Sequence, residues 1–200
     1  MKKEKIFNLF VGSNNQGKIK EIRDLLPKKV TILTPIDLFI KSPKETGKTF
    51  EENSFIKASY FSKKTNLICL SDDSGLEINL LGGKPGIHSA RWGGKKKDFN
   101  LAMEKIFKEM ANVKKNWKNE NKARFICSMT LYWPNGNSFS STGVVNGKIS
   151  KEKKGKNGFG YDPIFIPEGN EITFGQMESK DKMSIDHRFN AFSKLKKFFI

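Results

Sequence analysis

The sequence predicts an α/β layer fold in a single domain spanning residues 1–200, and three observations carry that expectation. Short apolar runs alternate with helical patterns from the first residues onward. An uninterrupted apolar run at 67–70 ends directly in the acidic segment Ser71-Asp-Asp-Ser-Gly75, and α/β sheets favour the carboxyl ends of buried strands for ligand sites. Two further extended runs, 124–133 and 138–145, flank Pro134-Asn-Gly136 and read as a long antiparallel hairpin.

Taken in order, residues 6–11 form a first buried strand. The basic opening, residues 1–5, superficially resembles a secretory leader, but the apolar run behind it is short, contains Asn8 and ends in Gly12-Ser-Asn-Asn instead of a cleavage site. Residues 18–26 are amphipathic, and 30–33 supply a second strand. Thr49-Phe-Glu-Glu52 has the spacing of a capping box, which predicts a helix running to about residue 64. After the acidic segment, 76–81 resumes an extended pattern and is expected to follow a polar turn. Apolar residues at 99, 102, 103, 106, 107 and 110 mark a helix, 111–122 reads as a polar loop, and 187–199 should be a closing helix. No repeat or linker divides the chain, and two lobes of one domain with a cleft between them is the expected arrangement.

Composition narrows the chemistry. The chain has 200 residues, 36% hydrophobic, with no apolar run near the length of a membrane helix. Cys69 and Cys127 lie in apolar runs, which excludes a disulfide framework or a Cys-rich zinc site and fits a reducing cytoplasmic setting. With only His88 and His187 present, the plausible metals are hard, oxygen-ligated ions. The net charge of +16 is carried mostly by lysine, and arginine occurs only at Arg23, Arg91, Arg124 and Arg188. Dispersed lysine solvates a surface, whereas sequence-specific nucleic-acid readers favour arginine forks.

Four segments could carry chemistry. Gly12-Ser-Asn-Asn-Gln-Gly-Lys18 lies between a strand and a helix, where backbone N–H groups and the Lys18 ammonium favour an anion. It nearly spells a P-loop, but Ile19 replaces the hydroxyl residue that would hold Mg²⁺ there. A capped strand-to-helix turn is an equal reading. Asp72 and Asp73, with Glu45 in a separate turn, are the oxygen donors that Mg²⁺ prefers. Gly158-Phe-Gly-Tyr-Asp-Pro163 interleaves glycine with two aromatics, which suits stacking on a flat ring and equally suits a kinked strand with core aromatics. Lys180, Lys182, His187 and Arg188 gather cations ahead of the last helix, where Asp186 is placed to cap and His187-Arg188 to project donors. Such donors suit a 6-keto purine and would be left unpaired by adenine.

In this order the segments resemble the inosine triphosphate pyrophosphatase family, the non-standard purine NTP pyrophosphatases, over nearly the whole chain. The resemblance rests on Ser13-Asn-Asn-Gln-Gly-Lys18, on Glu45-Thr-Gly47 with Thr49-Phe-Glu-Glu-Asn53 and Lys57-Ala58, and on Ser71-Asp-Asp-Ser-Gly-Leu76. Leu81-Gly-Gly-Lys-Pro-Gly86 with Ser89-Ala-Arg91, then Gly158-Phe-Gly-Tyr-Asp-Pro163, then Lys182 with His187-Arg188 complete it. It implies an elongated mixed β-sheet flanked by helices, two lobes with a central active-site cleft, and a homodimer. It implies hydrolysis of ITP, dITP or XTP to the monophosphate and pyrophosphate with Mg²⁺ as cofactor. Ser13, Asn15, Lys18, Lys57 and Arg91 would meet the triphosphate, and Glu45 and Asp73 would hold the metal. Asp73 would also activate water. Ser74, Phe159, Gly160, Tyr161, Asp162, Lys182, His187 and Arg188 would contact the nucleotide, with the aromatic segment on the base and His187-Arg188 at its keto edge. Family members usually carry Ser where this chain has Asp186, and a carboxylate beside His187 would favour the imidazolium.

The expected chemistry is in-line attack of water on the α-phosphorus with pyrophosphate as leaving group and no covalent nucleophile. Two rivals stand beside it: a P-loop-like ATPase or kinase, against which Ile19 argues, and a basic nucleic-acid-binding module suggested by charge and the aromatic-glycine segment.

Overall fold

A computed structural model describes residues 6–199; residues 1–5, weighed above as a leader, and residue 200, the end of the expected domain, lie outside the described residues. Six strands form one mixed sheet in the order β2-β1-β3-β4-β5-β6. They are β1 (Asn8–Val11), β2 (Thr31–Leu33), β3 (Cys69–Ile78), β4 (Lys122–Tyr132), β5 (Ser138–Ile149) and β6 (Phe165–Pro167). β1 runs parallel to β2, with Leu9 opposite Ile32, and parallel to β3, with Val11 opposite Leu70. β5 and β6 are antiparallel. The α/β expectation holds, with the mixed sheet it named.

The helices are α1 (Gln16–Leu25), α2 (Phe50–Thr65), α3 (Phe99–Val113), α4 (Ser179–Ile185) and α5 (His187–Leu195). None among the described residues is long and apolar enough to cross a membrane. Local chemistry explains the boundaries. Thr49 caps α2 by accepting from the Glu52 N–H at 3.1 Å, and Asn66 in the left-handed region ends it. Glu52 does not close the reciprocal half of a capping box; its carboxylate takes the Lys48 N–H at 2.6 Å. Asp98 caps α3 through the N–H groups of Asn100 and Leu101. The Trp133 N–H donates to the Asn137 carbonyl at 2.9 Å and closes the turn between β4 and β5.

Two local expectations are corrected. The acidic segment is not a turn after a strand: β3 runs unbroken through Ser71-Asp-Asp-Ser-Gly75 to Ile78. Each Asp finds cationic or amide partners on its own face of the sheet, so the polar run keeps its strand geometry. The loop expected at 111–122 also contains structure, because Trp117 is buried and stacks on Phe107 with centroids 5.9 Å apart.

The described chain divides into two compact units. The first comprises the described residues up to Asp73, with Cys127–Gly143 and the residues from Arg188 onward. It has two apolar clusters. One joins Leu9, Val11 and Leu70 to Ile19 and Ile22 of α1 and to Ala191 and Leu195 of α5. The other joins Phe10 and Cys69 to Ala58 and Phe61 of α2. The second unit, Ser74–Ile126 with Val144–His187, is built on a cluster of Leu76, Ile78, Ala102, Ile106, Phe125, Ile149, Phe165 and Phe174.

Gly147 of β5 lies so close to β6 that a Cβ there would collide with the Ile166 carbonyl. Gly147→Ala is therefore expected to destabilise by about 1–3 kcal/mol through overpacking. Thermal melting should show Tm lowered by roughly 2–4 °C for each kcal/mol.

Candidate active site

In the first unit, the site follows from strand alternation. Side chains two apart on β3 share a face, so Asp72 continues the face of Leu70, towards α1 and α5. Asp73 continues the face of Cys69, towards α2. The two neighbouring carboxylates thus enter different surroundings.

Asp72 is fully buried. Its Oδ2 lies 3.1 Å from Lys18 Nζ and accepts from Arg188 Nη2 at 3.1 Å and from Cys127 Sγ at 3.8 Å. Oδ1 has no hydrogen-bond partner among the described residues. Burial opposes the charge, but Lys18, Arg188 and Lys57 together outweigh it and hold the carboxyl well below the usual carboxylate range. Arg188 Nη1 also donates to Glu21 of α1.

Asp73 accepts through Oδ2 from Asn53 Nδ2 at 3.1 Å, and its Oδ1 lies 3.8 Å from Lys57 Nζ. The same ammonium is 2.5 Å from Glu45 Oε1. Asn53 and Lys57 stand four residues apart on α2, hence on one helix face. Here burial prevails: it raises the Asp73 carboxyl, the attraction of Lys57 and Lys18 offsets only part of this, and Glu45 and Asp72 push the same way as burial. For Lys57 the balance is reversed. Burial works against its charge, but Asp73, Glu45 and Asp72 raise it above the ordinary lysine range.

The amino-terminal segment is a capped strand-to-helix turn. Ser13 Oγ accepts from the Asn15 N–H at 3.2 Å, and Asn15 Oδ1 caps α1 by accepting from the Lys18 N–H at 3.2 Å. Ile19 is buried in the core against α5, so the position where a P-loop would need a hydroxyl residue faces apolar packing.

In the second unit, Gly158 has φ +71°, and a Cβ there would collide with the Asp162 carboxylate. Asp162 Oδ2 accepts from the Phe159 N–H at 2.7 Å and from Lys182 Nζ at 2.7 Å. That ammonium also stands 5.0 Å from the Phe159 ring centre. His187 is buried and stacks on Phe125, with centroids 4.8 Å apart and planes 11° apart. Gly160 also has positive φ, and Ser74 lies half-buried in β3. Arg91 is exposed within the 3₁₀ segment Gly86–Gly93.

Two expected roles need correction. Tyr161 does not offer a face for stacking: its ring is in the core edge-on to Phe99, and its hydroxyl donates to the Ser89 carbonyl at 2.8 Å. Phe159, half-buried, is the aromatic of that segment outside the core. Nor does Arg188 project beside His187 as a second donor. It is 1% exposed and its guanidinium is turned to Asp72 and Glu21 within the first unit. Adjacent residues at a helix start point about 100° apart, which explains the divergence.

The structure therefore joins Lys18 and Arg188 through Asp72, and Glu45 and Asp73 through Lys57, in the first unit, and Phe159, Asp162 and Lys182 in the second. Sequence reasoning gave no role to Glu21 or Asn53. Asn53 could have been found from its i, i+4 spacing to Lys57; nothing in the sequence points Glu21 at Arg188.

Comparison with known proteins identifies the family. The dITP/XTP pyrophosphatase of Caulobacter vibrioides is 41% identical over 94% of this chain and 95% of its own length. That of Rhizobium meliloti is 42% identical over 92% of each chain. The structure of a HAM1 protein from Coxiella burnetii superposes with a TM-score of 0.86 at 32% identity, covering 96% of this chain and 98% of the other. The Ham1 family model matches residues 9–198, and with paired carboxylates, lysines and aromatic segment arranged as above, the chain belongs to the Ham1 family.

Proposed function

We propose that this chain is a dITP/XTP pyrophosphatase, hydrolysing non-canonical purine nucleoside triphosphates to the monophosphate and pyrophosphate. The observation that carries the reading is the pair of buried aspartates on β3, one held ionised by Lys18 and Arg188 and the other raised beside Lys57. Family relatives of that name at about 40% identity over nearly the full length support it.

In the first unit the triphosphate is taken by Lys18 and Lys57 with the N–H groups that open α1; Arg91, exposed in the second unit, is a further cation for phosphate. Ser13 and Asn15 shape that turn. Asp73 receives the proton of the attacking water. Attack in line on the α-phosphorus expels pyrophosphate, whose developing charge is spread over the lysines. Asp72 fixes Lys18 and, through Arg188, the approach of α5. In the second unit, Phe159 stacks on a purine ring, Lys182 is held by Asp162, and His187 offers a donor to a 6-keto oxygen. Ser74 and Gly160 complete the nucleotide contacts.

The residues also fit a divalent cation. Glu45 and Asp73 converge on one positive group, the Lys57 ammonium, and both are the hard oxygen donors Mg²⁺ takes. No group of three or more His, Cys, Asp or Glu side chains able to hold a metal occurs among the described residues. Two carboxylates are enough for Mg²⁺, which keeps waters and substrate phosphates in its remaining positions. When bound there, it would neutralise phosphate charge and orient water.

Incubation with dITP, XTP, ITP, GTP and ATP plus Mg²⁺ tests the reading. Pyrophosphate should appear from the first three and little from the others. Orthophosphate release would indicate an ATPase, and no turnover with steeply salt-dependent oligonucleotide binding would indicate a nucleic-acid module.

The two aspartates should separate stability from activity. Asp72, with its folded pKa depressed, contributes stability that is present above the ordinary aspartate pKa and lost as pH falls towards the folded value. Asp72→Asn leaves the buried Arg188 and the half-buried Lys18 short of a carboxylate and should cost about 3 kcal/mol at pH 7. Asp73 has the opposite sign: its raised pKa favours the fold while protonated, and that contribution is lost as pH rises through it. Asp73→Asn, melted without divalent metal, should therefore keep stability within about 1 kcal/mol of wild type. Its turnover should fall by about 10² or more.

A further inference from the structure

We infer that Asn53 is the positioning residue that presents the Asp73 carboxylate for reaction and ties it to the loop carrying Glu45. The inference rests on the reading of Asp73 as the group that activates water.

Asn53 is 1% exposed, so each half of its amide must find a partner. Its Oδ1 accepts from the Gly47 N–H at 2.8 Å and its Nδ2 donates to Asp73 Oδ2 at 3.1 Å. The amide orientation is determined by these partners: a backbone N–H can only donate and a carboxylate can only accept. Asn53 therefore joins two segments far apart in sequence, the polar loop that contains Glu45 and the buried strand β3. Gly47 is two residues from Glu45, and it packs so closely on the first turn of α2 that a Cβ would lie 2.7 Å from Asn53 Oδ1. The loop is thus seated on the helix at the point where the amide grips it.

The contact also differentiates the two oxygens of Asp73. Oδ2 is held by the amide, and Oδ1 is turned towards Lys57, which bridges to Glu45. A carboxylate rotating about its Cβ–Cγ bond would exchange the two. The Asn53 donor resists that rotation and keeps Oδ1 on the side of Lys57 and Glu45. Precise placement of a reacting group is worth orders of magnitude in rate, and a neutral amide does this without adding charge beside Asp73.

Asn53→Asp and Asn53→Leu separate positioning from scaffolding. Asp retains the acceptor for the Gly47 N–H and loses the donor to Asp73; Leu loses both. Three quantities are measured for each: Tm, the Kd for a non-hydrolysable α,β-methylene ITP analogue with Mg²⁺, and kcat and KM for ITP. Both variants should lose about 10²-fold in kcat with Kd and KM within about threefold of wild type, while Asn53→Asp keeps a Tm closer to wild type than Asn53→Leu. A purely structural role predicts the reverse pattern: Asn53→Asp near wild-type turnover and only Asn53→Leu impaired, in step with its Tm. That outcome, or a Kd weakened as much as kcat, overturns the inference. Should Asn53→Leu fail to fold, Asn53→Asp decides alone. Asp73→Asn is run alongside. If it stays active, the reading of Asp73 fails; if it is inactive while both Asn53 variants turn over normally, only the role of Asn53 fails.

Discussion

The first unit is organised around two adjacent carboxylates inside a β-strand. An ionised carboxylate buried without a partner is too costly to persist, and strand alternation gives Asp72 and Asp73 different direct partners, although Lys18 and Lys57 act on both. Each face of β3 therefore receives its own contacting groups. Lys18 from α1 and Arg188 from α5 meet Asp72, and Lys57 and Asn53 from α2 meet Asp73. Three helices are thereby referenced to the same two residues, in addition to the apolar clusters that pack them on the sheet.

The two environments differ in kind. Asp72 is compensated beyond its burial and stays ionised, so it acts as a fixed anion that aims two cations. Asp73 is undercompensated, and its carboxyl is raised. A pair of titratable groups whose surroundings push them apart is the pattern that divides structural from reactive roles. Here a one-residue step along a strand accomplishes it. The buried Cys69 thiol takes no comparable part: burial pushes it up to about 12, which makes it a poor nucleophile.

In the second unit the governing constraint is backbone geometry. The left-handed turn at Gly158 brings the Phe159 N–H onto the Asp162 carboxylate, which also holds Lys182. Phe159 is left with one side against that ammonium. Tyr161, two residues on, is spent on the core and on the Ser89 carbonyl. One short motif thus contains both the site reading and the packing reading that its letters allow.

The strands β1, β2, β4 and β5, the helices α1 to α3 and the closing helix were legible because period, caps and turn residues are local properties: Thr49 ahead of α2 and Pro134-Asn-Gly136 ahead of β5 act within a few residues. The importance of Lys18, Glu45, Lys57 and the paired aspartates was legible too, from residue type and from family resemblance. What the letters could not express is which group answers which. The continuity of β3 through its acids depends on cations arriving from positions 18, 57 and 188, and the inward turn of Arg188 depends on Glu21, far away in sequence. Such pairings are decided by packing, because a buried charge takes whichever partner the folded chain places within reach. The amino-acid sequence by itself determined the elements, the family and the inventory of reactive groups. Only the tertiary structure assigned one aspartate to hold cations and its neighbour, on the opposite face of the same strand, to stand raised beside Lys57.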